Sequence, residues 1–285
     1  MKGVLILTIA ALPLAAAGWQ DDHRWKLDEK ETIRRSFDTA GASGVRKLLV
    51  DNINGFIHVT GTAGSQVQVT VEKHIYAVSN EAMAEAKRDV RMDISQQGNF
   101  VRLYEDGPFR TGSGTHDRGE NYSGYRVVFD CEVQVPYDTE LALKALNNGI
   151  QVAKTTGDYD IHGLNGAIEM EDVAGSGLVS TLNGKVKVTF SRNPSKATQF
   201  KTLNGSVDVY FQSGLNADLK FKKLNGGIYT DFEVAALPRT VAGNSTNGKF
   251  VYRSDHTMAG RAGKGGPELS FDTLNGSIRL HSRTI

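Results

Sequence analysis

The sequence predicts an all-β fold, a single-chain parallel β-solenoid with an inserted strand-helix-strand segment near the N-terminus. Two observations support this prediction. The tripeptide Leu-Asn-Gly recurs, as in LNGKVKV at 182–188, and each copy is followed by alternating apolar and polar residues. From residue 146 onward the copies are 18 to 28 residues apart, a spacing that suits one coil per repeat. Right-handed winding is the default for parallel crossovers.

The repeat is defined by the apolar residue that precedes Asn, which we call position 0. Position +4 is always Ile or Val, and position −3 is always apolar. Seven copies share this pattern, with position 0 at Ile53, Leu146, Leu164, Leu182, Leu203, Leu224 and Leu274. A degenerate copy lies at Thr246-Asn247-Gly248. Because period-two alternation lies on both sides of each corner, the repeat predicts two strands that each bury one face.

The corner between the two strands contains a slip of one residue in the alternation. Positions −5 and −3 are in step, and positions 0, +4 and +6 are in step, but the two sets differ by one residue, which a bend or bulge must absorb. We therefore expect the position 0 residues to stack in an inward column. The Asn side chains should form a ladder along one edge. Gly and Asn both tolerate φ > 0, so Asn148 in the Gly slot of one copy favours a left-handed corner.

A β-hairpin at each corner is the alternative interpretation, because Asn-Gly between alternating strands is the strongest short hairpin signal. A two-residue hairpin would place position −1 opposite position +4. Position −1 is largely polar or small, as at Thr181 and Thr202, whereas position +4 is always apolar. Such a pair would share one face of the sheet with mismatched polarity. A bulge would rescue the hairpin, so this alternative stays open.

The N-terminal residues predict an exported protein. Residues 1–17 have the form of a signal peptide, with Lys2, an apolar segment and Ala15-Ala16-Ala17 before a cleavage point at Gly18. A membrane anchor is the alternative, but the apolar segment is shorter than the roughly 20 residues that a spanning helix needs. Residues 18–35 form a charged leader, either mobile or covering an open end of the fold.

Residues 36–135 are predicted as a β-rich part with one helix at about 79–92, and residues 136–285 as the repeat solenoid, continuous with it. The inserted strands are expected at 66–75, 99–105 and 125–135. Cys131, the only cysteine, falls on the apolar face of the last of these strands and is expected to be buried. A Gly-rich polar loop occupies 106–124.

Composition and motifs indicate a protein without catalytic, cofactor-binding or metal-binding residues. The net charge of +1 gives no reason to expect nucleic acid as a partner, and a single cysteine excludes an internal disulfide. Asp158, Asp160 and His162 share one strand face, a pattern that suits metal ligands. We interpret them as a solvated face, because no second cluster of ligand residues supports a metal site. No phosphate-binding or nucleophile-elbow motif is found in its required context.

Charge is distributed unevenly along the repeats. Residues 157–175 contain five acidic and no basic residues, whereas residues 185–223 contain eight Lys or Arg and two Asp. If sequence order is spatial order, an acidic band should lie beside a basic band. Such bands would serve solubility, or they would form a polar surface for an anionic envelope polymer or a protein partner.

Three features in order resemble a bacterial family described as "putative adhesins", a domain of unknown function in exported envelope proteins. They are VDNINGFIHVTG at 50–61 followed by a strand and a helix, the Val-Pro strand end in VQVPYDTELALKALNNGIQV at 133–152, and the Asn-Gly repeats after it. The resemblance covers roughly residues 36–285. It implies a β-solenoid at the cell envelope or surface, and it supplies no catalytic or binding residues.

The leading functional hypothesis is a non-enzymatic envelope or surface protein, in the periplasm, at the cell surface or outside the cell. Its solenoid would be an adhesion or interaction surface for a protein or for an anionic or polysaccharide envelope component, with no transmembrane helix after signal cleavage. One alternative is a carbohydrate-active β-helix enzyme, which would need paired carboxylates across a groove. The other is an envelope-stress scaffold or sensor that acts through a protein partner.

Overall fold

The computed structural model describes residues 25–40, 44–110, 124–237, 244–246, 249–251 and 257–284. The signal peptide predicted over 1–17 and most of the loop predicted over 106–124 lie outside the described residues. The described chain is all-β, with two large and mostly parallel sheets. Within this part of the chain, no helix has the length and apolar character needed to cross a membrane.

The N-terminal part combines the first repeat with the predicted insertion. Its elements are β1 (Leu27–Asp38), β2 (Lys47–Asn54), β3 (Ile57–Thr62), β4 (Gln66–Ala77), α1 (Asn80–Asp89), β5 (Arg91–Gln97), β6 (Phe100–Asp106) and β7 (Tyr125–Pro136). A short 3₁₀ turn follows β6 at Pro108–Arg110. Residues 27–35 of the predicted charged leader thus belong to β1, which pairs antiparallel with β4.

The remaining strands come from the later repeats and from one irregular segment. They are β8 (Glu140–Asn147), β9 (Ile150–Ala153), β10 (Tyr159–Asn165), β11 (Ile168–Val173), β12 (Gly177–Asn183), β13 (Val186–Phe190), β14 (Thr198–Asn204), β15 (Val207–Gln212), β16 (Ala217–Asn225), β17 (Ile228–Thr230), β18 (Val234–Ala236), β19 (Asn244–Thr246), β20 (Lys249–Val251), β21 (Thr257–Ala262), β22 (Glu268–Asn275) and β23 (Ile278–Arg283).

Both large sheets are open. Sheet 1 has ten strands in the order β1-β4-β7-β3-β9-β11-β13-β15-β23-β17. Sheet 2 has eleven strands in the order β18-β21-β16-β22-β14-β12-β10-β8-β2-β6-β5. The degenerate copy at 246–248 does not join them as an eighth repeat, because β19 and β20 form a separate antiparallel pair.

Each corner joins a strand of sheet 2 to the next strand in sheet 1. We number these strand pairs as repeats 1 to 7 in chain order: β2/β3, β8/β9, β10/β11, β12/β13, β14/β15, β16/β17 and β22/β23. Neighbouring repeats are parallel and in register, so that Ile161 lies between Leu143 and Val179. The hairpin alternative is therefore wrong, because the two strands at each corner lie in different sheets.

The core lies between the two sheets and consists of equivalent positions stacked on one another. Side chains at positions −3 and +4 are fully buried in most repeats, as at Ile161 and Ile168. Cys131 is also buried, as predicted. In the later repeats a column of phenylalanines forms, in which Phe271 stacks on Phe200 and on Phe221 with ring centroids 5.3 Å apart in each case.

Repeat 7 lies between repeats 5 and 6, so the expectation that sequence order equals spatial order is wrong. In sheet 2, β22 is placed between β14 and β16, and in sheet 1, β23 is placed between β15 and β17. The physical reason is that every repeat has apolar residues at the same positions, so a repeat can stack on any other. Consequently β17, and not β23, is the edge strand of sheet 1 on the side opposite β1.

The position 0 leucines face solvent, in contrast to the predicted inward column. Leu146, Leu164, Leu182, Leu203, Leu274 and Leu224 expose 37–54% of their surface. Position −1 takes the inward place instead, and Thr181, Thr202 and Thr273 are buried there. Each of these hydroxyls donates to the carbonyl oxygen of a corner glycine in the neighbouring repeat at 2.8–3.1 Å, which satisfies a buried polar group.

The corner glycines are required chiefly by the close approach of stacked backbones. A Cβ atom on Gly205 would lie 2.0 Å from the carbonyl oxygen of Gly184, and one on Gly276 would lie 1.7 Å from that of Gly205. Positive φ angles occur at the corners of Gly55, Asn148 and Gly226 only. The left-handed corner is thus confirmed for three repeats, while the spacing between neighbouring backbones explains glycine in the others.

The insertion closes one end of the stack. Helix α1 lies within the predicted 79–92, with Ser79 as its N-cap, and it packs on β4 and β7. Beneath it the buried Lys73 ammonium donates to the carbonyl oxygen of Val90 at 2.7 Å, where the helix ends. Burial lowers the pKa of Lys73, because the charged form loses hydration.

Glu105 closes the same end at the corner of repeat 1. It is fully buried at the end of β6, and its Oε2 accepts hydrogen bonds from the backbone N–H groups of Ile53 and Asn54. At this end no further repeat supplies carbonyl oxygens for these donors. Burial raises the pKa of the Glu105 carboxyl, and this effect outweighs the opposing effect of the two backbone N–H donors.

Glu105 makes stability dependent on pH. Since its folded-state pKa is raised, the stability it contributes is fully present below its unfolded-state pKa of about 4.3 and is lost as pH rises through the folded-state pKa. Glu105→Gln keeps an acceptor oxygen without the charge. We expect this variant to have a higher Tm than the wild type at neutral pH. The difference in Tm should become smaller as the pH falls toward the unfolded-state pKa.

Thermal melts across this pH range measure the difference in Tm. The control is Glu132→Gln, which changes an exposed carboxylate on β7. A pH-dependent gain of equal size in the control would contradict a special role for burial at Glu105.

Candidate interaction surface

The residues singled out in the sequence as possible metal ligands are already paired with one another or with neighbours. His162 Nε2 lies 2.8 Å from Asp160 Oδ1. Asp158 accepts from Lys196 Nζ at 2.7 Å and from the backbone N–H of Ser176 at 2.9 Å. Among the described residues, no three His, Cys, Asp or Glu side chains are grouped to hold a metal ion. Asp160 and His162 thus pair with each other on an outward-facing part of β10, and Lys196 engages Asp158 just before that strand.

A shallow groove runs over the start of the sheet 2 strands in repeats 1 to 4. Its volume is about 370 Å³, and its walls include Glu140, Asp158, Asp160, Lys47 and Lys196. This groove is the place where paired carboxylates of a carbohydrate-active enzyme would be expected. The ion pair between Asp158 and Lys196 engages one of the three carboxylates.

The acidic and basic segments do not form two separate bands. On sheet 2, repeat 7 places Asp272 between Lys201 and Lys222. On sheet 1, Lys187 lies between Glu169 and Asp208. The predicted bands fail because repeat 7 inserts acidic residues among the lysines, and because the alternating strands distribute the charges over two faces.

Asp208 shows how closely the charges are matched on sheet 1. Its carboxylate accepts from Ser206 Oγ at 2.8 Å and lies 3.2 Å from Arg279 and 3.3 Å from Lys185. Burial alone would raise the pKa of Asp208, but the bonds from Ser206 and Arg279 together with the Lys185 charge hold it below its usual value. The Asp208 carboxylate is therefore neutralised within sheet 1 by two cations.

The remaining candidate is an edge formed by positions 0 and +1 of all seven repeats, which we call the Leu–Asn edge. In spatial order its residues are Ile53/Asn54, Leu146/Asn147, Leu164/Asn165, Leu182/Asn183, Leu203/Asn204, Leu274/Asn275 and Leu224/Asn225. With strands about 4.8 Å apart, the six steps between seven repeats make this edge about 29 Å long.

The asparagines of the Leu–Asn edge form the ladder that the sequence predicts. From Asn147 onward in spatial order, each side-chain amide donates from Nδ2 to Oδ1 of the asparagine in the spatially preceding repeat, at 2.7–3.3 Å. The ladder runs without a break through the intercalated repeat 7, since Asn275 bonds to Asn204 and accepts from Asn225. These bonds, together with the threonine hydroxyls beneath, hold the edge in a fixed shape.

Two properties make the Leu–Asn edge different from ordinary surface. It presents a continuous column of exposed leucine side chains, and contiguous apolar surface of this kind marks interaction sites. It also contains no ionisable residue at positions 0, +1 or +2 in any repeat. The alternation of the sequence suggested the opposite orientation for the leucines. The threonines at position −1 are the residues that indicate the correct orientation. When they face inward, their hydroxyls donate to the carbonyl oxygens of corner glycines in the neighbouring repeats.

Comparisons with known proteins found no matching family model and no matching curated protein. Solved structures similar to this chain include a "putative cell adhesion protein" from Clostridium sporogenes, with a TM-score of 0.41 and 12% identity over 90% of this chain and 100% of that chain. A "putative adhesin" from Bacteroides fragilis has a TM-score of 0.36 and 11% identity over 89% and 97% of the two chains.

A "putative lipid binding protein" from Parabacteroides distasonis has a TM-score of 0.27 and 10% identity over 89% of this chain and 96% of that chain. Further similar structures are also described as adhesins. The description as adhesins is the same as that of the family which the sequence motifs resemble.

Proposed function

We propose that this protein is an exported, non-enzymatic envelope or surface protein that uses a β-solenoid as an adhesion or interaction surface. The in-register, parallel stacking of the seven repeats in both sheets supports a solenoid with one coil per repeat. The N-terminal sequence supports export. The Leu–Asn edge is the observation that carries the functional part, because a rigid apolar column in water costs free energy unless a partner covers it.

Binding to cell envelopes tests this proposal. Purified protein labelled with a fluorophore is titrated with bacterial envelope fractions, alongside the double variant Leu164→Thr/Leu182→Thr. Threonine suits an exposed strand position, so the variant should keep its Tm. We expect saturable binding by the wild type and binding about tenfold weaker or more by the variant, since two apolar contacts are removed.

The matched control is Glu169→Thr/Lys187→Thr, which changes the same two repeats on the outer face of sheet 1. These residues are neighbours across the sheet, so removing both leaves no unpaired partner. The control should bind like the wild type. Equal binding by all three proteins, or no binding by any of them, would overturn the proposal.

A carbohydrate-active enzyme is the second candidate, and the groove with Glu140, Asp158 and Asp160 favours it. Its test is the release of reducing ends from a panel of polysaccharides. Turnover that is lost in Asp160→Asn and Glu140→Gln would establish this alternative in place of the non-enzymatic proposal.

A further inference from the structure

We infer that the Leu–Asn edge binds a neutral, linear polysaccharide whose chain runs along the stack of repeats. This inference rests on the proposed function, because it names the chemical class of partner for the same surface.

The asparagine ladder has hydrogen-bonding capacity left over. An amide side chain offers two N–H donors and an oxygen with two lone pairs. Within the ladder, an internal asparagine such as Asn183 donates once, to Asn165, and accepts once, from Asn204. One donor and one lone pair per repeat therefore remain for a ligand, and the asparagines of repeats 2 to 7 are exposed. The surface thus offers a donor and an acceptor at every step of about 4.8 Å.

The leucine column supplies the apolar half of a sugar-binding surface. A pyranose ring has a face of C–H groups and a rim of hydroxyls. The leucine at position 0 and the asparagine at position +1 are adjacent in every repeat from 2 to 7. A sugar ring laid on leucine would place its hydroxyls against the amides beside it. The separation of neighbouring strands is close to the length of one sugar unit in an extended chain, so the contact can repeat along the stack.

The charge pattern favours an uncharged ligand. Positions 0, +1 and +2 carry no ionisable side chain in any of the seven repeats. The flanking position −2 carries both signs, with Asp51 and Asp272 among Lys144, Lys201 and Lys222. A polyanion requires a continuous basic track, and such a track is missing from the described edge. Electrostatic complementarity therefore selects a neutral polymer.

The area excludes a second copy of the chain as the occupant. Together with the residues at position +2, the edge is about 29 Å long and about three residues, or 10 Å, wide. It therefore offers roughly 300 Å² of surface, well below the 800 Å² or so that each partner buries in a stable interface. A thin linear polymer needs no more width than this, and its many equal contacts add along the length.

The test uses the purified full-length protein and soluble polysaccharides as probes. The neutral probes are a linear β-glucan and a linear mannan, and the anionic probe is polygalacturonate. Binding is measured by affinity electrophoresis and titration calorimetry at low and at high salt. We expect at least one neutral probe to bind with an affinity that salt leaves unchanged, because no charge screening is involved. Leu164→Thr/Leu182→Thr should weaken that binding about tenfold or more.

A second variant controls for the possibility that the double substitution changes the shape of the Leu–Asn edge. Leu182→Arg leaves the ladder intact and places a long cation on the column, and it should also weaken binding, while Glu169→Thr/Lys187→Thr should bind as the wild type does. Binding of the anionic probe alone, with an affinity that falls with salt, would overturn the inference. Concentration-dependent dimerisation that Leu182→Arg abolishes would also overturn it. Failure of every probe to bind would overturn the inference as well. If the inference fails in any of these ways, saturable binding to envelope fractions would still support the proposed function. If the protein does not bind envelope fractions either, the proposed function and the inference are both wrong.

Discussion

Replacing Phe271 with alanine is expected to lower the free energy of unfolding by about 3–5 kcal/mol, the usual cost of deleting a buried aromatic ring. Phe271 is fully buried in β22. It stacks on Phe200 and Phe221 and meets Phe211 edge-on at 6.4 Å. Alanine would leave a cavity at the centre of the column, where stacked backbones prevent collapse. Urea denaturation measures the loss.

Two further variants turn this prediction into a test of the order of the repeats. If repeat 7 lies between repeats 5 and 6, Phe271 has two stacked neighbours, whereas among the described residues Phe221 stacks on Phe271 alone. Phe271→Ala should then cost more than Phe221→Ala. The reverse ranking would contradict the intercalated order, because in sequence order Phe221 would be central and Phe271 terminal. Phe56→Ala, which removes an exposed ring, is the control and should change stability by less than about 0.5 kcal/mol.

Replacing Gly276 with alanine is expected to destabilise the fold by about 1–3 kcal/mol through overpacking. The new Cβ would lie 1.7 Å from the carbonyl oxygen of Gly205, so the corners of repeats 5 and 7 would have to separate. That movement would lengthen the bond between Asn275 and Asn204, now 2.8 Å, and the bond from Thr273 Oγ1 to the same carbonyl, now 3.1 Å.

The loss should appear both in urea denaturation and as faster hydrogen exchange at the backbone N–H groups of this corner. Ala167→Ser is the matched control, because it adds one heavy atom at the corner of repeat 3, at a position where repeats 5 and 7 already carry serine. It should be neutral within about 0.5 kcal/mol. Equal stability of the two variants would show that the corners are not in close contact.

The strands and the asparagine ladder could be predicted because they depend on local alternation and on a residue type that must lie at the surface. The orientation of the leucines could not, because two placements of the one-residue slip are compatible with the pattern. If the slip lies between positions −3 and 0, the leucine at position 0 faces the core. If the slip lies after position −1, Thr181 and its equivalents face the core instead. Hydropathy ranks leucine as the inward residue. The hydrogen bonds of the threonine hydroxyls decide otherwise.

The order of the repeats could not be predicted either, for a different reason. Phe200, Phe221 and Phe271 occupy the same position of their repeats, so the apolar pattern is equally satisfied by any neighbour. The uncharged edge was visible in the sequence as Leu-Asn-Gly, but only the exposure of the leucines identifies it as a surface. The predicted charge bands depend on the repeats lying in chain order, so they fail once repeat 7 lies between repeats 5 and 6.

The intercalated repeat also governs when the structure can be completed. Asn225 bonds to Asn275, a partner 50 residues later in the chain. In a nascent chain that emerges N-terminus first, repeat 6 is therefore synthesised before repeat 7, with which it pairs in the folded protein. Long-range pairings of this type slow folding, and here a premature contact between repeats 5 and 6 would have to be undone. Repeat 6 can therefore reach its final partners in both sheets only after repeat 7 has been synthesised.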